Sequence, residues 1–144
     1  MSDTIPTSAE VKMMLHRCGF SQTEAAEILG KDARTVRRWV SGEFEIPSEN
    51  WQSLSAFCDR LDQTAREKLE GIKKIAPGYG PVTVQIARTD DEAHRHGYPC
   101  AGATLALARR IVEWAPEGVH IVPVHLDRDP VKQAVIDLRA FINR

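Results

Sequence analysis

The most constraining feature of this chain is an eighteen-residue stretch, Gln22 to Trp39, in which two short helical patterns are separated by one glycine. Ser21-Gln22-Thr23-Glu24 sets a serine three residues before a glutamate, the pattern of a capping box that opens a helix. Ala25, Ala26, Ile28 and Leu29 are available for burial, and Gly30 stops the helix after about two turns. Asp32 can cap a further helix from Ala33 to about Ser41, which Gly42 ends. Two helices joined this tightly cross at a steep angle. Such a crossing needs a small residue at the contact, for which Ala26 is suited, and a turn residue that tolerates positive φ, for which Gly30 is suited.

The second of these helices has two kinds of residue on two sides. Val36 and Trp39, three apart, anchor it. Arg34, Arg37 and Arg38 share another side, because they are three and four residues apart. From Lys31 to Gly42 there are four basic residues and one acid, Asp32, which is engaged as a cap. Composition enters here as a puzzle, since the whole chain of 144 residues has a formal net charge of −1. Screening confines electrostatic attraction to about 8–10 Å, so local charge decides. A neutral chain can therefore present a basic helix. Arginine suits double-stranded DNA because its planar fork pairs bidentately with guanine O6 and N7, or with phosphate.

Around this core the remaining helices are legible. Thr7-Ser8-Ala9-Glu10 is another capping box, followed by Val11, Met14, Leu15 and Cys18 on one face and Gly19 as a stop. After a loop from Glu43 to Pro47, Ser48 is expected to cap a fourth helix. Leu54, Phe57, Leu61, Ala65, Leu69, Ile72 and Ile75 continue its apolar face, as one long helix or as two joined near Asp59 to Thr64. Ala76-Pro77-Gly78-Tyr79-Gly80-Pro81 then marks a domain boundary.

The stretch from Phe20 to Leu61 resembles the Cro/repressor-type (XRE-like) helix-turn-helix family. The matching residues are Ser21-Gln22-Thr23-Glu24-Ala25-Ala26, Ile28-Leu29-Gly30, Thr35-Val36-Arg37-Arg38-Trp39 and Ser41-Gly42, then a loop with Pro47. The resemblance implies that Gln22 meets DNA at the start of the second helix. It also implies that Ala33, Arg34, Arg37 and Arg38 face the major groove, and that backbone near Gly42 approaches phosphate. Lys31, Thr35 and Ser41 complete the set of residues expected to bind DNA. Lys31 departs from the family, which has an apolar residue there, although its stem can cover the turn. Ala33 cannot hydrogen-bond a base edge and is left to touch a thymine methyl or to leave space.

Beyond the boundary the pattern changes. Val82 to Ala87 alternates and is β-branched, reading as a strand. Ala101 to Trp114 reads as a helix, Pro116-Glu117-Gly118 as a turn, and Val119 to Leu126 as a second strand in which Pro123 marks an edge or a bulge. Pro130 opens a last helix through Val131, Val135, Leu138 and Phe141. The expected fold class is thus α+β: an all-α helix-turn-helix domain over 7–75 and a small β-α-β-α domain over 82–144. A single helix-turn-helix buries little DNA, and a thin sheet has open edges, so the second domain is expected to form a homodimer. This two-domain order also resembles the YdiL-like, anti-CRISPR-associated repressors, on Val82 to Ala87, an acidic turn Asp90-Asp91-Glu92, Ala101 to Trp114 and Val119 to Leu126. That resemblance implies an autorepressor of a small mobile-element operon.

Other chemistry is poorly supported. Cys18, Cys58 and Cys100 are widely spaced and read as reduced, buried side chains. His94, His96, His120 and His125 form no closed ligand set with zinc spacing and read as solvated loop histidines. No phosphate-binding glycine loop or activated nucleophile is evident, so no cofactor, no metal and no enzyme activity is expected. No apolar run nears the about 20 residues that span a bilayer, and Met1-Ser2-Asp3-Thr4 opens no signal peptide, so a cytoplasmic location is expected and no membrane partner. Three functions follow in order: a dimeric repressor of a palindromic operator, an antitoxin binding DNA and a toxin, and a metal-dependent enzyme targeted to nucleic acid.

Overall fold

The computed structural model describes residues 4–75 and 81–125. The expected helix from Pro130 to Phe141, and the stop over Ala76 to Gly80, lie outside the described residues. Those described form α1 (Ser8–Cys18), α2 (Gln22–Leu29), α3 (Ala33–Ser41), α4 (Ser48–Ile75), β1 (Val82–Ile86), α5 (Asp90–Arg95), α6 (Ala101–Trp114) and β2 (Ile121–His125). The fold is α+β and mostly helical, with the helices of the N-terminal region ahead of the strands. The chain divides into two compact units, Met1–Leu61 and Asp62–Arg144, so the division falls inside α4.

In the first unit the helix ends follow the local sequence. Thr7 and Ser21 each accept the backbone N–H three residues on, and Glu10 and Glu24 each accept the cap N–H in return. Gly19 and Gly30 end α1 and α2 in left-handed conformation, at φ 78° and 66°. The core is Val11, Leu15, Cys18, Phe20, Ala25, Ala26, Val36, Trp39, Ile46, Leu54, Cys58 and Leu61. Phe20 stacks on Phe57, ring centroids 4.9 Å apart. Two expectations need correcting. Ile28 is exposed and Leu29 only half-buried; at about 100° per residue, Ile28 lies on the side of α2 away from the buried Ala26. Ser48 is the first helical residue of α4, not its cap: Trp51 N–H already bonds the Pro47 carbonyl at 3.1 Å.

In α4 the alternative of two joined helices is resolved as one continuous helix of 28 residues. Its buried stripe is Leu54, Cys58, Leu61, Ala65 and Leu69. Those spacings of four and three pass through Cys58, where the sequence pattern favoured Phe57.

The second unit is built on two parallel strands, β1 and β2, in register from Val82 opposite Ile121 to Ile86 opposite His125. Their connection contains α5 and α6, and α6 packs on both strands. α6 buries Ala103, Ala106, Leu107, Ala108 and Ile111. Asp90-Asp91-Glu92, expected as a turn, is the first turn of α5. Thr89 caps it by accepting Glu92 N–H at 3.2 Å, and three acids lie at the positive end of the helix dipole. His94 is accordingly helical rather than in a loop, with Nε2 2.9 Å from the Pro99 carbonyl. Strand and helix are tied by Thr104, whose Oγ1 accepts Ala87 N–H at 3.0 Å and donates to the Ala101 carbonyl. Arg110 is buried against Asp62, Nε to Oδ1 2.6 Å, and donates a further bond to the Ala106 carbonyl. Cys18, Cys58 and Cys100 are all buried. Burial raises the Tyr98 phenol above its ordinary pKa. Among the described residues no helix is long and apolar enough to cross a membrane.

Candidate nucleic-acid interface

The turn between α2 and α3 is closed by Lys31 N–H donating to the Ala26 carbonyl at 2.8 Å and Gly30 N–H to the Glu27 carbonyl at 3.2 Å. Bonds of this pattern need a left-handed residue at the helix end, which Gly30 supplies. Asp32 then accepts Arg34 N–H at 2.8 Å and starts α3. Val36 is 0% and Trp39 3% exposed, so both anchor the helix in the core. Ala25 and Ala26, both buried, let α2 and α3 pack closely.

The anchoring fixes what α3 presents. Arg34 and Arg37 are exposed, as is Lys31 in the turn. Ala33 and Thr35 are half-buried, Ser41 is exposed, and Gln22 is half-buried in the first turn of α2. In that turn the Ser21 hydroxyl takes Glu24 N–H. The amides of Gln22 and Thr23 are first-turn groups without intrahelical acceptors.

Arg38 stands apart from its two neighbours. Its side chain is 32% exposed, its Nε lies 3.8 Å from Glu43 Oε2, and its guanidinium stands 5.1 Å from the centroid of the Phe44 ring. The chain beyond α3 folds back over the helix end. Gly42 takes φ +85°, Ser41 Oγ donates to the Arg38 carbonyl at 3.1 Å, and Phe44 N–H donates to the same carbonyl at 3.2 Å. A Cβ on Gly42 would meet Ser8 Oγ at 3.4 Å, so the loop also runs close to the start of α1. Glu43 and Phe44 were not among the residues expected at this site. The sequence signal was Gly42 itself, since a left-handed residue at a helix end returns the next residues over the last turn.

A helix-turn-helix family model matches residues 11–61, the segment that carries this geometry. The chain is 41% identical over 78 residues to a transcriptional repressor protein KorC of Escherichia coli, covering 52% of this chain and 78% of that protein. The chain belongs to the XRE-like helix-turn-helix repressor family. A second KorC repressor of Escherichia coli is 39% identical over 57 residues, covering 38% of this chain and 64% of that protein. Within this family the helix-turn-helix, carried here by α2 and α3, is a module that binds double-stranded DNA.

Proposed function

We propose that this protein is a transcriptional repressor that binds a palindromic operator as a homodimer, with α3 in the major groove. The observation that carries the reading is the split of α3 between a buried pair, Val36 and Trp39, and an exposed pair, Arg34 and Arg37. A helix held rigidly on one side with guanidinium groups on the other reads base edges at low entropic cost. Gln22, Lys31, Ala33, Thr35 and Ser41 surround that pair as phosphate and groove contacts. Arg38, already engaged by Glu43 and Phe44, shapes the loop rather than reading a base.

Repression is supported by the two KorC relatives, which are transcriptional repressors by name. Dimerisation is supported by geometry of a different kind. One helix-turn-helix covers a half-site, and two half-sites about 34–36 Å apart need two modules related by a twofold axis. Residues 82–144 are assigned to that pairing. The test is a footprint on the DNA immediately upstream of the protein's own gene. Protection of an inverted repeat with half-site centres one or a whole number of helical turns apart is expected. Binding with no sequence preference at any salt concentration overturns the reading.

A further inference from the structure

The two strands of the second unit expose two edges, and they are not alike. Val82 N–H donates to the His120 carbonyl at 2.9 Å, which fixes the phase of the parallel ladder. In a parallel strand the N–H and C=O of one residue point to the same side, and successive residues alternate. Val82, Val84 and Ile86 therefore turn their backbone groups toward β2, and Thr83 and Gln85 turn theirs away. On β2, Val122 and Val124 face β1, while Ile121, Pro123 and His125 face outward. Pro123 has no N–H, so the outer edge of β2 lacks its central donor and is a poor template for another strand.

Among the described residues, the outer edge of β1 carries no such guard. Val82-Thr83-Val84-Gln85-Ile86 contains no charge and no proline, and among the described residues no strand lies beside it. Natural proteins guard or cover open edges because open edges pair. A cleft of about 440 Å³ borders β1, lined by Val82, Thr83, Val84 and Gln85 together with Lys68 and Ile72 of α4.

We propose that the β1 edge is the homodimer interface, pairing antiparallel with β1 of a second copy about a twofold axis through Val84. The inference rests on the dimeric reading above and names its contact. The partner is indicated by the edge itself, whose partial charges complement their own image. A twofold axis at Val84 sets Thr83 opposite the partner's Gln85 and Gln85 opposite the partner's Thr83. Each such pair exchanges both N–H···O=C bonds, since these are the residues with outward backbone groups. The result is a four-stranded sheet, β2-β1-β1-β2, closed at both outer edges by Pro123. A twofold pair of this kind is closed and does not propagate.

The register is checked by cysteine pairing in the full chain. Val84 faces the partner's Val84 across a non-hydrogen-bonded position, about 4.5 Å between Cα atoms, within the about 4.4–6.8 Å that a disulfide spans. V84C should form an interchain disulfide under mild oxidation. V82C should not, because the two copies of that residue lie about 13 Å apart at four strand steps. In light scattering, Q85P should halve the mass, since Gln85 N–H is unused by the β1–β2 ladder. T83K/Q85K should also give a monomer by setting like charges opposite each other, and T83E/Q85K should restore the dimer, which separates pairing from misfolding. A wild-type dimer that persists in T83K/Q85K, or that cross-links equally through V82C, overturns the β1 edge and leaves the dimeric reading standing. A wild-type chain that is monomeric both free and on the operator overturns both.

Discussion

At the residue scale the three arginines of α3 divide by what already holds them. Arg34 and Arg37 are exposed, whereas Arg38 shares its charge with Glu43 at 3.8 Å and rests near the Phe44 ring. A guanidinium that reads a base loses about 1–3 kcal/mol of specific binding when removed, about five- to 150-fold in Kd. R34A and R37A are each expected to show that loss in operator titrations. R38A should lose less. E43Q should tighten binding and steepen the salt dependence, because it frees Arg38 and removes an acid beside the phosphate path. Equal losses in R37A and R38A with an inert E43Q would show that Arg38 is a reader after all. The arginine cluster was legible in the sequence because helical spacing alone sets it. The contacts of Arg38 with Glu43 and Phe44 were not, because they depend on where the chain goes after Gly42.

At the scale of elements, what was legible was local. Capping boxes and stop glycines act over three to five residues, and Thr7 to Glu10, Ser21 to Glu24, Gly19 and Gly30 all act as their sequence implies. The acids of α5 were misread as a turn, although Thr89 three residues before Glu92 is a capping pattern too. The helix has only 6 residues, too few for apolar periodicity to reveal it. Cys58 displaced Phe57 from the buried stripe because burial in α4 is set by its neighbours, with Phe57 going instead to the ring of Phe20. The α2–α3 crossing gives the sharpest stability test of an element. Ala26 is 2% exposed at the contact, so A26L must push the helices apart, at about 1–3 kcal/mol. D32A removes the cap on Arg34 N–H and should cost about 1 kcal/mol. Urea unfolding measures both, and a neutral A26L would mean that the crossing is looser than described.

The whole molecule joins a module legible from its sequence to a unit whose packing was not. That Pro123 marks an edge without a bulge follows from an unbroken register, which no single strand's sequence contains. The buried pair of Arg110 and Asp62, separated by 48 residues, was equally invisible. Their side chains are 8% and 13% exposed, so removing either leaves a charge with little water to compensate it. R110A should destabilise the second unit by about 3–5 kcal/mol, read as a fall in its unfolding midpoint, whereas replacing both members with apolar residues of similar volume should restore much of the loss.

Stability and DNA binding meet in the operator complex. If two modules dock together, the number of phosphates neutralised on a full inverted repeat is twice that on a half-site. Each neutralised phosphate contributes about −0.9 to the slope of log K against log salt concentration. The slope on the full repeat should therefore be about double that on a duplex carrying one half-site, when each is fitted per protein assembly bound. R110A, if it weakens pairing by loosening the second unit, should leave the half-site slope unchanged and reduce the full-repeat affinity at low protein concentration. Equal slopes on both duplexes would mean that one module binds at a time, and the palindrome would then have to be explained by something other than the symmetry of the protein.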